Sequence, residues 1–157
     1  MRPQATPREV QEAQATHLAE AGSLPESVWT AARRGEEAAL FWWLESGGRV
    51  NATRGGNTAL MTAALNGHVP AVELLLQRGA EVDLQGDGWT ALMYAASTGH
   101  ARVVDLLLQR GAAVDLQDCD GTTALMAAAD KGHERVVELL LRGAEVNKQD
   151  SYGETAL

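Results

Sequence analysis

Residues 90–121 read TALMYAASTGHARVVDLLLQRGAAVDLQDCDG, and the fold follows from how this stretch divides. Thr90 stands where a helix N-cap belongs, its hydroxyl oxygen able to accept from the free N–H groups of a first turn. Leu92, Ala95 and Ala96 recur at i, i+3 and i+4, giving a short helix with a narrow face of small residues suited to close packing. Gly99 supplies a left-handed C-cap. After a brief turn, Val103, Val104, Leu106, Leu107 and Leu108 make a second helix, too apolar to stand exposed, which Gly111 ends. From Val114 to Gly121 the chain is polar and turn-rich. The unit is helix, turn, helix and protruding turn. It has no face that it can bury alone, so neighbours must stack.

The same pattern stands at three further places. TALMTAALNGH from Thr58, TALMYAASTGH from Thr90 and TALMAAADKGH from Thr123 agree at the Thr, Ala, Leu, Met, Gly and His columns, and a closing TAL begins at Thr155. These threonines lie 32, 33 and 32 residues apart. Each is followed by a second column, VPAVELLLQRGAEVDLQ at Val69, ARVVDLLLQRGAAVDLQ at Ala101 and ERVVELLLRGAEVNKQ at Glu134. A fainter copy precedes them, with Ala31, Ala32, Gly35, Leu40, Trp43, Leu44, Gly47, Val50 and Asn51 standing 32 residues before Ala63, Ala64, Gly67, Val72, Leu75, Leu76, Gly79, Val82 and Asp83. The domain is expected over 24–157, in units of about 24–55, 56–87, 88–120 and 121–152, with the start of a fifth at 153–157.

At 157 residues the chain has the length of about one compact domain. Its formal net charge is -8, from 13 basic and 21 acidic residues, and no Lys/Arg-rich run occurs. Nucleic acid and anionic membrane, which need clustered positive charge, are therefore poor partners. The single cysteine, Cys119, cannot form an internal disulfide, which fits a reducing compartment. The first residues lack the unbroken apolar run of a signal peptide, and no stretch approaches the length of a membrane-spanning helix. The expectation is a soluble protein of the cytoplasm or nucleus.

Thr6, Pro7, Arg8 and Glu9 have the form of a capping box with proline at the first helical position, which predicts a helix from Pro7 to Ala21 ended by Gly22. The first unit lacks TALM, and its second helix carries Phe41, Trp42 and Trp43. Both tryptophans align with core columns and read as bulky capping of the stack, an aromatic binding patch being the alternative.

Enzymatic signals fail on geometry. His68, His100 and His133 occupy one column of successive units, and packed helices lie about 8–10 Å apart, so the three cannot share a metal ion. LQDCDG at 116–121 grazes a calcium-loop pattern, but Leu116 and Ala127 stand where ligands are required. Cys119 has no partner to activate it, and neither a phosphate loop nor a dinucleotide fingerprint is present. Asn51, Ala52 and Thr53 spell a glycosylation sequon that would go unused without secretion. No catalysis, metal, cofactor or small-molecule substrate is expected.

The units resemble the ankyrin repeat, for which a period of about 33 residues, a β-turn, two helices and a T-P-L-H-x-A signature are typical. The resemblance covers roughly 24–157 and implies an all-α solenoid of stacked helix-turn-helix units with protruding β-turn fingers. TALM replaces TPLH, so alanine takes the place of the usual proline and methionine that of a histidine that pins neighbouring turns. Some polar pinning is expected to be lost, while Ala keeps the helix and Met fills gaps. One finger is a residue short, with only Gly86 and Asp87 between Gln85 and Gly88, and LLLRGA lacks the Gln of LLLQRGA.

The resemblance further implies a non-catalytic protein-protein interaction module acting as scaffold, adaptor or targeting piece. Its partner would lie in a concave groove lined by the columns that differ between copies. Carried over, these are Arg33 and Arg34 in the first unit and Asn57, Leu65 and Asn66 in the second. The third gives Asp87, Trp89, Ser97 and Thr98, and the fourth Cys119, Asp120, Thr122, Asp130 and Lys131. Ser151, Tyr152 and Glu154 follow in the last stretch. Trp89, as an exposed aromatic at a turn tip, is the expected anchor, packing against its own or a neighbouring finger being the alternative. The resemblance also makes Asn147, after G-A-x-V with Leu139 eight residues earlier, a candidate for asparagine hydroxylation. The alternatives are a regulatory or inhibitory subunit of an enzyme, or a fragment of a larger multidomain protein.

Thr155, Ala156 and Leu157 have the form of a ligand for PDZ domains. In register, however, Gly153, Thr155 and Leu157 repeat Gly121, Thr123 and Leu125, which favours a repeat cut after its first turn. An uncovered apolar face would then remain, from which fraying or self-association is expected.

Overall fold

The computed structural model describes residues 22–157, so the helix expected between Pro7 and Ala21 lies outside the described residues. Eight helices follow in four antiparallel pairs: α1 (Glu26–Arg34) with α2 (Glu37–Glu45), α3 (Ala59–Leu65) with α4 (Val69–Gln77), α5 (Ala91–Ser97) with α6 (Ala101–Gln109), and α7 (Ala124–Asp130) with α8 (Glu134–Leu140). The first members pack on one another in sequence as an inner row, and the second members do likewise as an outer row. A single short hairpin, β1 (Thr53–Arg54) with β2 (Asn57–Thr58), joins the first two pairs, in the register Thr53 to Thr58 and Arg54 to Asn57.

Local chemistry sets each inner helix. Thr58, Thr90 and Thr123 take extended backbone geometry, and their hydroxyls accept from the N–H groups of Met61, Met93 and Met126 at 3.2–3.3 Å. Two of the methionines add a contact inside their own unit rather than between neighbouring turns. Thr58 and Thr123 donate their own N–H groups to the Sδ atoms of Met61 and Met126 at 3.4 Å. Burial is wider than the stripe read from the sequence: in α5, Ala91, Leu92, Met93, Ala95 and Ala96 are all buried. Helices α3 and α5 are each enclosed between an inner helix on either side and the outer row, so almost their whole circumference must be apolar or small.

Joints between units are polar and repeat in register. His68 Nε2 donates to the Arg33 carbonyl at 2.8 Å, His100 to that of Leu65 at 3.0 Å and His133 to that of Ser97 at 3.0 Å. A carbonyl only accepts, so Nε2 carries the proton in each ring. The ring fits because the unit before it ends its inner helix on glycine. Gly99 holds φ at 77°, and a Cβ placed there would lie 2.6 Å from His133 Nδ1. Gly132 has nearly the same φ, 70°, with nothing within 4 Å of such a Cβ. On the far side of the units, Asn51 Oδ1 accepts from Glu81 N–H, Asp83 from Ala113 and Asp115 from Glu145 at 2.8–3.0 Å.

The first outer helix departs from the sequence reading. Trp43 is buried, but Trp42 is 55% exposed and Phe41 lies beside it at the surface. Trp42 is thus no core residue. Among the described residues α2 has a neighbouring outer helix on one side only, and Trp42 is left more open than Leu74, which is itself only half-buried in α4. Phe41 is covered by the Arg78 guanidinium, 4.8 Å above its ring, and Arg78 also pairs with Glu45.

The two glycines offer a direct test of the joint. Gly132→Ala should lower stability by about 1 kcal/mol, the cost of a left-handed alanine, whereas Gly99→Ala should lose roughly 1–3 kcal/mol more because its methyl displaces His133. In a His133→Ala background that extra loss should vanish in urea unfolding, and equal losses at Gly99 in both backgrounds would disprove the joint.

Candidate functional site

The fingers come in two lengths, each with its own turn chemistry. Gly55 and Gly56 have φ of 54° and 78°, and Asp87 and Gly88 of 50° and 86°. Positive φ at both central positions is what a two-residue hairpin turn requires. Reciprocal bonds of 2.9 Å between Gly86 and Trp89 close the second of these turns. The residue missing from the third unit's finger is therefore a change of turn type, with Asp87 accepting the left-handed conformation that aspartate tolerates better than most residues. In the two longer fingers an aspartate holds the loop: Asp118 Oδ1 accepts from the N–H groups of Asp120 and Thr122, and Asp150 Oδ1 from those of Tyr152 and Glu154, at 2.8–2.9 Å.

Glutamines brace the fingers to one another. Gln85 Nε2 donates to the carbonyls of Gly88 and of Gln117, both at 3.0 Å. Gln117 repeats this with Gly121 at 2.7 Å and Gln149 at 3.1 Å. Gln149 reaches Gly153 at 3.2 Å.

Trp89 is not the freely exposed anchor that the sequence suggests. Its side chain is half-buried, its Nε1 donates to Asp118 Oδ2 at 2.9 Å, and its ring lies 5.2 Å from that of Tyr94 at an interplanar angle of 48°. Tyr94 in turn donates its hydroxyl to Asn57 Oδ1 at 2.9 Å. Asn57, Tyr94, Trp89 and Asp118 thus form a line that links three successive fingers by way of α5. Tyr94 is itself half-buried. Burial pushes its hydroxyl above the ordinary tyrosine value, and the negative charge of Asp87 acts in the same direction.

Beside this line, between the later fingers and the inner helices α5 and α7, runs a cleft of about 520 Å³. Trp89, Ser97, Thr122, Asp130 and Lys131 all line it. The sequence comparison missed Met126, Asp150 and Ala156, which line it as well, because those columns agree between copies and read as structural. Glu154 completes the wall.

The remaining candidates lie elsewhere. Arg33 is exposed with its guanidinium 5.6 Å over Trp29, and Arg34 pairs with Glu36 at 3.7 Å. Leu65, Asn66 and Thr98 are exposed at the ends of α3 and α5, and Asp87, Cys119, Asp120 and Tyr152 at the finger tips. Asn147 is exposed too. Among the described residues its amide has no hydrogen-bond partner, whereas Asn51 in the same column is tied to Glu81 through both amide atoms.

Among the described residues no group of three or more His, Cys, Asp or Glu side chains could hold a metal ion. No helix there is long and apolar enough to cross a membrane.

Residues 28–118 and 80–150 match the family model described as ankyrin repeats, three copies. No curated protein matches the chain significantly.

The raised Tyr94 value has a signed consequence for pH. The neutral phenol is favoured by the fold, so this contribution is fully present below the unfolded tyrosine value near pH 10 and is lost as pH rises through the higher folded value. Urea midpoints at about pH 9 and about pH 11 should therefore fall further apart in the wild type than in Tyr94→Phe, and the same pH dependence in both would contradict the burial of this hydroxyl.

Proposed function

The chain belongs to the ankyrin-repeat family, and from that premise we propose that it is a non-catalytic module that binds a partner protein through the face formed by its fingers and inner helices. Members of the family are generally protein-protein interaction modules. The observation that supports this face is the cleft, in which six residues that differ between otherwise matching units come together although they derive from three units: Trp89 and Ser97, then Thr122, Asp130 and Lys131, and Glu154. The outer row offers less. Its shallower depression of about 340 Å³ lies along the first two outer helices and is bordered by Glu37, Phe41, Glu73 and Gln77.

Rigidity adds to the argument. A surface that is already braced before binding loses little conformational freedom on association. Here the fingers are tied by glutamines, and Trp89 is fixed at both its ring and its nitrogen. The role of such a module is scaffold, adaptor or targeting, in the cytoplasm or nucleus. Asn147, exposed and unengaged, is the modification candidate of the same reading.

A photo-crosslinking amino acid placed at Ser97 or Lys131 should capture one protein in common in cells, while the same group at Gln77 or Arg102 on the outer row should not. Capture of that protein from the outer positions alone would show that the groove is not the contact surface.

A further inference from the structure

Resting on that reading, we infer that the half of the groove formed by the third and later units takes a cationic, arginine-bearing segment of the partner protein. Charge along the finger and inner-helix face is uneven, with an acidic excess at the cleft. Arg33, Arg34 and Arg54 stand in the first two units, Arg34 paired with Glu36 and Arg54 with Glu26, whereas the cleft carries Asp130, Asp150 and Glu154 against one cation, Lys131.

The carboxylates are not equivalent. Asp150 holds its own finger through Oδ1. Asp130 meets only the ammonium of its neighbour Lys131, at 3.0 Å and with both side chains mostly in solvent. The Glu154 carboxylate has no partner among the described residues. Asp130 and Glu154 therefore remain to receive an incoming cation.

Between them the cleft wall is apolar and aromatic, with Met126, Ala156 and the half-buried Trp89. A wall of this kind beside free carboxylates selects a particular cation. An ammonium is a compact, strongly hydrated charge, whereas a guanidinium is planar, lies against an aromatic face and bonds a carboxylate through two N–H groups at once. The chain's net charge of -8 adds a long-range attraction for a basic segment.

The test uses the full chain, labelled with ¹⁵N, and two peptides of equal length and apolar content that carry arginine or glutamate at their remaining positions. The arginine peptide should shift the indole N–H resonance of Trp89 and leave that of Trp42 in place. Asp130→Lys combined with Glu154→Lys should weaken binding by roughly tenfold, through replacement of attraction by repulsion. Asp105→Lys combined with Glu138→Lys, the same change of net charge on the outer row, should alter it by no more than about twofold, as screened charges at a distance do. Equal binding of the glutamate peptide, or equal weakening by the two double variants, would overturn the inference. Crosslinks from Ser97 and Lys131 to a partner segment without basic residues would also overturn it while leaving the groove reading intact, whereas crosslinks confined to the outer row would remove the groove reading itself.

Discussion

Each joint between units depends on one imidazole that crosses it. The ring of His68, His100 or His133 starts from the turn between the two helices of its own unit and ends on a carbonyl of the unit before, beside a left-handed glycine that leaves room for it. A hydrogen bond of this kind contributes about 1 kcal/mol net, far less than the apolar burial around it. Its weight lies in register. Leucine and alanine faces slide on one another at little cost, whereas a donor that must meet a single carbonyl admits one offset. The aspartate and asparagine column on the other side of the units supplies a second such constraint. Two polar fixings, one on each side of an apolar layer, determine how each unit sits on the last.

The order of the helices and the composition of the inner row were legible in the sequence because they depend on residues that agree between copies. Thr90, Leu92, Ala95, Ala96 and Gly99 declare a capped, small-faced, glycine-ended helix without knowledge of any neighbour. The histidine column was also legible, though only as a column: that its rings donate to carbonyls 35 or 36 residues back needs the stack itself. The same limit hid the role of Trp89. In sequence it is a large aromatic at a turn tip, and only the approach of Asp118, 29 residues on, and of Tyr94 from the adjoining helix turns it into a brace. Trp42 shows the reverse case, where alignment with the half-buried Leu74 misleads: Trp42 stands 55% exposed, and among the described residues α2 has an outer helix beside it on one side only.

For the candidate site, variation between copies was a sound guide to exposed positions and a poor guide to which of them meet. Asp130 and Lys131 lie in one wall of the cleft, whereas Tyr152 and Arg34 lie away from it. Met126 escaped notice since its column is constant. In α3 and α5 the corresponding Met61 and Met93 are buried, while Met126 is partly uncovered and lines the cleft. Identical residues in identical units thus differ in accessibility according to what stands next to them.

The glutamine brace separates two kinds of change. Gln85 closes on a carbonyl three residues ahead and Gln117 on one four residues ahead, yet both present the next finger with the same bond. One flexible side chain absorbs the difference between a two-residue turn and a longer one, and the joint at the histidine feels none of it. The loops can therefore exchange length and sequence while the scaffold keeps its pitch. In engineering terms the fingers of this chain are cassettes, and Gln85 and Gln117 are the fittings that accept them.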